Sequence, residues 1–516
     1  MGEAPLILGV SGLRGIVGES LTAEVAARYA GVLGAWFRER EDDAAVAVAA
    51  DGRAGYEAIY HAVIAGLAGA GCDVRPLGVQ MTPTVGWYVD SERLTGGVVV
   101  TASHNPGQWN GVKALLRDGE GRVTAAPTAA QAGAIVERFQ MGGGARGGEA
   151  DRVGVREVAG GVATAHAAWV AERAQRIGVR EGASVVLDSV NASGGEGAAA
   201  LCRAMRAHST QLFGDGSGVF PHTPEPTREN LSGAGGLCDA VPRLRADVGF
   251  AQDPDADRLA IVDETGRYIG EEYTLVLAAV ALLEGRKAEG GEGRGGDGAP
   301  HPGPLPGGER EEGGRLETGP TGRSPVIVTN LSTSRMIDDV AARYGARVER
   351  TAVGEANVVE RMMMLRAAGE DVVLGGEGNG GVIWPEVVYV RDSLGAMALT
   401  LALMARTGKS VSELVDWVNS MGGEGGGGYA IVKRKVEIAS KDAARPSVEK
   451  IVKAYSGRAG ASVDTQDGVR VDWSERGAWV HVRASNTEPI MRLIAEAPTS
   501  GEAERILAEV EGVIGG

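Results

Sequence analysis

Short apolar, β-branched runs alternate with Ala- and Leu-rich helical patterns along most of this chain. No other feature restricts its fold as much. Residues 45–50 (AVAVAA) read as a strand and 58–70 as a helix. Residues 97–101 (GVVVT) and 184–188 (SVVLD) read as strands, and 197–207 as a helix. A strand at 326–329, a helix at 334–344 and a strand at 371–374 continue the pattern. Alternation of this kind predicts α/β domains with parallel or mixed sheets. The C-terminal segment differs: strand-like runs at 429–436, 478–482 and 491–495 precede a closing helix near 502–514, which predicts a smaller α+β domain. The 516 residues suffice for three to four domains at roughly 100–200 residues each.

Charge narrows the function classes. Lysine plus arginine number 52 and aspartate plus glutamate 68, a formal net charge of −16. Such a chain lacks the basic surface that sequence-independent nucleic-acid binding needs. An anionic substrate would have to be held by a local concentration of Arg, Lys and backbone N–H groups against the global field. Hydrophobic residues make up 43 %, enough for sizeable cores. Three cysteines, Cys72, Cys202 and Cys238, are odd in number and lack metal-ligand spacing, as expected in a reducing compartment. The N-terminal apolar run is too short for a signal sequence, and no stretch approaches the 18 apolar residues of a membrane span. A cytoplasmic protein without membrane association is expected.

Two segments stand apart. Residues 286–324 are built of Gly, Pro, Glu and Arg, with Leu305 and Leu316 the only large apolar side chains. So little apolar surface does not offset the entropy of ordering, so the segment is expected to be a disordered insertion. Residues 422–428 (GGEGGGG) read as a joint before the last domain, either a plain spacer or a hinge that lets that domain close over a ligand.

Five strings could carry chemistry. Residues 101–113 (TASHNPGQWNGVK) follow a strand, so Ser103 falls at a strand's carboxyl end, where α/β sheets place ligands. A serine is a weak nucleophile unless a base and positive charge flank it; His104 is adjacent and Lys113 ends the string. Taken alone, Ser103 reads first as a turn residue bonded to its own backbone, and it is the long polar, glycine-bearing string around it that favours the chemical reading. Residues 253–258 (DPDADR) set Asp253, Asp255 and Asp257 within five positions, and such mutual repulsion is commonly relieved by a hard divalent cation. In a straight strand they would spread over about 13 Å, so the segment must curl as a loop. An EF-hand, with Glu264 twelfth, fails because Arg258 occupies the glycine position and Pro254 follows the first ligand. A site of three carboxylates leaves positions for phosphate oxygens. Alternatively, the string is a solvated acidic turn.

Residues 375–382 (GGEGNGGV) allow close backbone approach, and Glu377 could accept from two neighbouring sugar hydroxyls; a plain glycine turn is the other reading. Residues 483–492 (RASNTEPIMR) lie between two strands. Ser485, Asn486 and Thr487, flanked by Arg483 and Arg492, make a nest suited to a phosphate dianion, or else a polar hairpin turn. Residues 11–15 (SGLRG) offer Arg14 on a glycine-flanked turn.

These strings, in this order and at domain-like spacing, resemble the α-D-phosphohexomutase superfamily of phosphoglucosamine mutases and phosphomannomutase/phosphoglucomutases. Residues 224–231 (PEPTRENL) also look like a family string. The resemblance covers nearly all of the chain outside 286–324. It implies a heart-shaped molecule of three similar α/β domains with mixed sheets and a smaller C-terminal α+β, TATA-binding-protein-like domain. The expected divisions are 1–155 with the phosphoserine loop, 156–285 with the metal loop, the insertion 286–324, 325–421 with the sugar loop and 429–516 with the phosphate loop. Ser103 would be the phosphoserine, and Asp253, Asp255 and Asp257 would hold one Mg²⁺ together with its phosphate. Arg14, Lys113 and His104 would flank the transferring phosphoryl group, with Lys113 a general acid/base. Arg258, Glu377, Asn379, Arg483, Ser485, Asn486, Thr487 and Arg492 would bind substrate.

The implied reaction moves a phosphoryl group from Ser103 to a hexose or hexosamine monophosphate, through a hexose 1,6-bisphosphate that also serves as activator. Small-molecule sugar phosphates are the expected partners, and the chain would act as a monomer or homodimer. In the sugar loop Asn379 and Gly381 stand where bacterial phosphoglucosamine mutases commonly carry Ser and His. Residues 353–355 (VGE) lack the Gly-His pair of two-substrate phosphomannomutase/phosphoglucomutases. The combination resembles an archaeal-type branch and favours phosphoglucosamine mutase over phosphomannomutase/phosphoglucomutase. A sugar-phosphate binding protein without catalysis is the reading from another class, disfavoured because the serine, the aspartates and Lys113 are all intact.

Overall fold

The computed structural model describes residues 5–118, 123–143, 154–158, 160–291, 323–422, 428–438, 443–485 and 490–515. Four sheets organise them. In the first, strands run in the order Ile7–Gly9, Gly12–Ile16, Trp109–Asp118, Gly96–Val100, Ala45–Ala50, Asp73–Val79 and Gly154–Val155, with Val123–Ala125 paired to Trp109–Asp118. The second is His208–Phe213, Ser184–Asp188, Val248–Gln252, Leu259–Asp263, and the third is Arg347–Thr351, Val326–Asn330, Val372–Glu377, Gly381–Ile383.

The three sheets share one kernel. In each, a first strand lies between a second and a third parallel to it, and a fourth returns antiparallel to the third. The first and third strands of each kernel are buried runs, covered on both faces, whereas the second strands, Asp73–Val79, His208–Phe213 and Arg347–Thr351, carry polar residues and are more exposed. The antiparallel return makes the link between third and fourth strands short, and it emerges at the carboxyl end of a central strand. Those links are the segments around Ser103, Asp253–Asp257 and Asn379.

The fourth sheet is antiparallel: Ala430–Glu437, Ile490–Ala497, Ala478–Ala484, Val469–Trp473, Ser462–Asp464, backed by helices Ala444–Tyr455 and Ser500–Gly515. Its core of Val471, Val480, Leu493, Ile506 and Leu507 is its own. By contrast, one apolar cluster runs through the first three units, from Ala47 through Phe250 and Leu277 to Leu399. Helix Ser393–Thr407, buried continuously from Ser393 to Met404, lies at its centre, so these loops are held on a common rigid body.

Two expectations change. Helix Glu271–Gly291 runs six residues into the segment read as disordered from 286, because Arg286 pairs with Asp371 and Lys287 lies 4.2 Å over the ring of Tyr344. Residues 292–322, like 423–427 of the glycine joint, lie outside the described residues. Arg14 is within strand Gly12–Ile16, opposite Gly111, rather than on a turn. The turn comes earlier, closed by Gly12 at φ +87, where a Cβ would lie 2.1 Å from the carbonyl oxygen of Val112.

Candidate functional site

Ser103 sits three residues past the end of strand Gly96–Val100, with φ +49, a left-handed conformation that costs a non-glycine residue about 1–3 kcal/mol. Its surroundings enforce it. The Ser103 N–H donates to Thr101 Oγ1 (2.8 Å), and Thr101 Oγ1 donates to Asp51 Oδ2 (2.7 Å). Arg53, fully buried, bonds Asp51 through Nε (2.8 Å) and donates through Nη2 to the Ser103 carbonyl and through Nη1 to those of Asn105 (3.3 Å) and Trp109 (2.9 Å). One planar guanidinium thus ties both ends of the loop to the end of the neighbouring strand.

The result aims Ser103 Oγ at the second unit, where it donates to Asp253 Oδ2 at 2.8 Å. His104 Nδ1 is 3.4 Å from Oγ, and burial, with Arg258 and Arg14 close by, pushes the imidazole down to about 3, so it is neutral. Arg14 Nη1 donates to Asn105 Oδ1 (3.3 Å) and so braces the same loop.

The aspartate string curls as its spacing required, with Ala256 at φ +53 making the bend. Asp253, Asp255 and Asp257 are buried, with one ligand atom from each within 4.8 Å of the others. Burial and the two neighbouring carboxylates push Asp253 well above the usual range. Asp257 is buried too, yet it is held below that range by Arg391, Lys113 and Arg258. Among the described residues Asp255 Oδ1 and Asp257 Oδ1, both buried, have no hydrogen-bond partner. Orphaned acceptors on a cluster of buried acids fit a divalent cation.

Lys113 projects from mid-strand, its Nζ 3.2 Å from Asp257, 3.7 Å from Glu355 and 3.9 Å from Asp255. Burial opposes its charge, but Glu355, Asp257 and Asp255 prevail and raise its pKa, so it stands as an ammonium. Arg258 closes the loop through its N–H to Asp253 Oδ1 (3.1 Å).

The glycine loop docks on this centre: a Cβ at Gly380 (φ +84) would lie 2.5 Å from the Leu259 carbonyl oxygen, one residue beyond Arg258. Glu377 accepts from Asn330 Nδ2 (2.8 Å) and Gly354 N–H (3.1 Å) on Oε1, and from Arg391 Nη1 (2.8 Å) on Oε2. It is therefore already committed within the protein. Asn379 Oδ1 caps its own turn at Gly381 N–H (3.2 Å) while its residue lines a small crevice with Arg258 and Glu225. In the last unit Arg483 and Arg492 face each other directly across two strands, a like-charge pairing that calls for anions nearby. Arg483 Nε is 2.8 Å from Asp467. Ser485 N–H closes the hairpin on Ile490 O (2.8 Å), while Asn486 and Thr487 lie outside the described residues.

Sequence reasoning missed four contributors. Arg391 bridges Asp257 Oδ2 (2.6 Å) and Glu377 Oε2 (2.8 Å), joining the aspartate string to the glycine loop. Its signal was a lone arginine in an apolar run, directly before the Asp392 that caps helix Ser393–Thr407. Arg53 follows strand Ala45–Ala50 by three residues, the placement that marked Ser103. Glu355, noted only as part of a string, starts helix Glu355–Ala367 and faces Lys113. Thr82 Oγ1 donates to Asp255 Oδ2 (2.7 Å), a contact that no local pattern announces.

Comparison with known sequences finds matches along the chain to four successive families. They are Phosphoglucomutase/phosphomannomutase, alpha/beta/alpha domain I over residues 5–136, domain II over 167–266, domain III over 314–421 and the C-terminal domain over 432–513. Among similar proteins, a phosphoglucomutase/phosphomannomutase of Thermococcus kodakarensis is 31% identical over 507 residues, 97% of this chain and 96% of that one. A probable phosphoglucosamine mutase of Methanopyrus kandleri is also 31% identical, over 98% of this chain and 97% of that one. A crystal structure of a phosphoglucomutase/phosphomannomutase family protein from Burkholderia thailandensis shares the fold, with a TM-score of 0.73, 23% identity and 98% of each chain covered. An Aspergillus fumigatus N-acetylphosphoglucosamine mutase, solved in complex with GlcNAc-6P and magnesium, aligns with a TM-score of 0.55, 13% identity and coverage of 98% of this chain and 95% of that one.

Proposed function

Because the chain belongs to the phosphoglucomutase/phosphomannomutase family of isomerases, we propose that it interconverts hexosamine 6-phosphate and 1-phosphate through phosphorylated Ser103 and a 1,6-bisphosphate. It is then a phosphoglucosamine mutase. The observation that carries this reading is the 2.8 Å contact between Ser103 Oγ and Asp253 Oδ2, beside a protonated Lys113. The relatives' names and the GEGNGG sugar loop favour glucosamine. Phosphomannomutase/phosphoglucomutase activity is the second reading, favoured by the Thermococcus relative.

In this reading the sequence-based divisions 1–155, 156–285, 325–421 and 429–516 carry the four functional loops, and the insertion expected at 286–324 begins after the helix that ends at Gly291. Ser103, Asp253, Asp255 and Asp257 would hold Mg²⁺, which when bound offsets charge on the phosphoryl oxygens. The bond from the Ser103 oxygen to phosphorus breaks as the sugar hydroxyl forms its own. Lys113 and Arg14 neutralise charge on the moving group, and the Lys113 ammonium can protonate the departing serine oxygen. The hydroxyl proton leaves to a base in the same cleft. His104 supports the loop, and Arg258, Glu377 and Asn379 frame the sugar. Arg483, Ser485, Asn486, Thr487 and Arg492 would grip the other phosphate. Turning the bisphosphate over then returns the second phosphoryl group to Ser103. Small sugar phosphates are the partners of a cytoplasmic monomer or homodimer that needs neither nucleic acid nor membrane. The acidic balance and three free cysteines support this, and no described helix is long and apolar enough to cross a membrane.

Two measurements test the proposal. Intact mass should show one phosphoryl group on part of the wild-type population and none on Ser103→Ala, which should lose turnover yet still bind sugar phosphate. Wild-type-like turnover in that variant would sink the mechanism. Coupled assays on glucosamine, mannose and glucose 1-phosphates, primed with glucose 1,6-bisphosphate, rank the sugars; glucosamine 1-phosphate as the poorest would shift the reading to the second.

A further inference from the structure

Asp467 lies in the hairpin between strands Ser462–Asp464 and Val469–Trp473, outside every string described above. Its carboxylate has two commitments in different units. Oδ2 takes Arg483 Nε (2.8 Å) and the N–H of Val353 (3.1 Å) in the third unit. The next residue, Gly354, donates its own N–H to Glu377 Oε1. The backbone of Asp467 makes a parallel connection. Its carbonyl accepts from His481 Nε2 (2.7 Å), and His481 Nδ1 is 2.8 Å from Ser332 Oγ. A carbonyl only accepts, so Nε2 carries the proton and the Ser332 hydroxyl donates to Nδ1. His481 is fully buried and neutral, burial pushing it down to about 4. Ser332 N–H is held by Asn330 Oδ1 (2.8 Å), and Asn330 Nδ2 donates to Glu377 Oε1 (2.8 Å). Both routes from Asp467 therefore end on the same oxygen of Glu377.

The packing leaves little slack. Gly468, at φ +71, presses on the strand of Arg483: a Cβ there would sit 2.2 Å from the Val482 carbonyl oxygen and 2.8 Å from the Arg483 Cα. Asp467 is therefore fixed beside Arg483 by backbone contact. Engagement through Nε fixes the guanidinium plane and leaves both Nη groups outside that contact. That geometry suits an arginine that must meet a second anion.

We propose that Asp467 is a positioning residue that sets Arg483 for the non-transferring phosphate and couples that grip to Glu377 in the sugar loop. This rests on the reading of Arg483 as a phosphate ligand. Capture of the distal phosphate and placement of the sugar ring are then a single event. A substrate lacking that phosphate leaves the sugar loop in its resting arrangement.

The test is a double-mutant cycle of Asp467→Ala and Arg483→Gln on the full chain. It is read as KM and kcat for glucosamine 1-phosphate and, without turnover, as calorimetric affinity for glucose 1,6-bisphosphate and for inorganic phosphate. Loss of a charge-assisted contact should weaken bisphosphate binding and raise KM on the order of ten- to a hundredfold. The effect should shrink to near unity in the Arg483→Gln background, since residues acting through one another are non-additive. Asp467→Asn, which keeps an acceptor for Val353, should fall between, and it serves if the alanine variant fails to fold. Asp464→Ala in the same hairpin should match wild type. Additive effects, or an Asp467 variant that lowers only the melting temperature, would overturn the proposal, as would wild-type bisphosphate affinity in Arg483→Gln. A wild-type enzyme without mutase activity would instead strike the functional reading, while the calorimetric cycle would still decide the coupling.

Discussion

Replacing Arg53 should damage both the fold and the chemistry, by separable amounts. Lysine keeps a positive charge for Asp51 but does not span the carbonyls of Ser103, Asn105 and Trp109, which the guanidinium reaches together. Three bonds, one buried and two partly buried, at about 1 kcal/mol each put the cost of Arg53→Lys near 3 kcal/mol. Alanine also strands Asp51, which is fully buried. Breaking such a pair costs about 3–5 kcal/mol. Burial already raises Asp51, and Arg53 is the largest influence holding it down. In the alanine variant the folded-state pKa rises further above the unfolded value. A carboxyl raised in the fold stabilises it most at low pH, and that contribution is lost as pH climbs through the interval between the two values. The deficit of Arg53→Ala should therefore shrink on acidification.

The catalytic consequence comes from Ser103, whose left-handed backbone loses its main restraint. Relaxation toward ordinary φ would shift Oγ by about an ångström, and misplacement of that size costs about 10²-fold in rate. Urea unfolding across pH gives the first quantity, and quench-flow transfer from phosphorylated enzyme to glucosamine 1-phosphate gives the second. A lysine variant that loses stability but transfers at the wild-type rate would refute the link between Arg53 and the serine's strain.

Other expectations are simpler. Glu272 is buried beneath the glycine loop, a Cβ at Gly378 lying 2.0 Å from its Oε2, and burial pushes it up to about 8. A rise from 4.5 to about 8 makes the wild type lose up to roughly 5 kcal/mol of stability between those pH values, so Glu272→Gln should flatten the pH profile of unfolding, and unchanged curvature would refute this. Replacing 292–322 by a short Gly/Ser linker should leave turnover near wild type. Deletion beginning at 286 should lower the melting temperature by removing the Arg286–Asp371 pair and a turn of helix; equal behaviour of the two would show that pair to be idle.

The parts of this site that could be read from sequence share one property: their chemistry is local in the chain. Three aspartates in five residues repel whatever the fold, and a Ser-His-Asn-Pro string after an apolar strand marks a loop at a sheet's carboxyl edge. The strands named from sequence were legible for the same reason, to within one to three residues at their ends, whereas more polar strands such as His208–Phe213 and Arg347–Thr351 went unread. What stayed hidden acts across distance. Thr82 meets Asp255 from a helix 173 residues away, and Arg391 meets Asp257 across 134. Asp467 meets Val353 across 114. No periodicity or spacing encodes such pairs, because each depends on how units dock.

The shared kernel of the first three sheets explains why those long-range contacts converge. An antiparallel fourth strand after a parallel third forces a tight link at the sheet's carboxyl edge in every copy. Helix Ser393–Thr407 and the common core then fix the three edges against one another. The residues proposed to carry the chemistry are divided among these links, with Ser103 in the first, the aspartates in the second, and Glu377 and Asn379 at the third. Bringing them together also buries charge from each unit, and the paired residues Arg53–Asp51, Lys113–Asp257 and Arg391–Glu377 are what that burial requires. The cations that neutralise the interior are thus the groups that orient the loops. Substituting any of them should perturb catalysis together with stability rather than either alone.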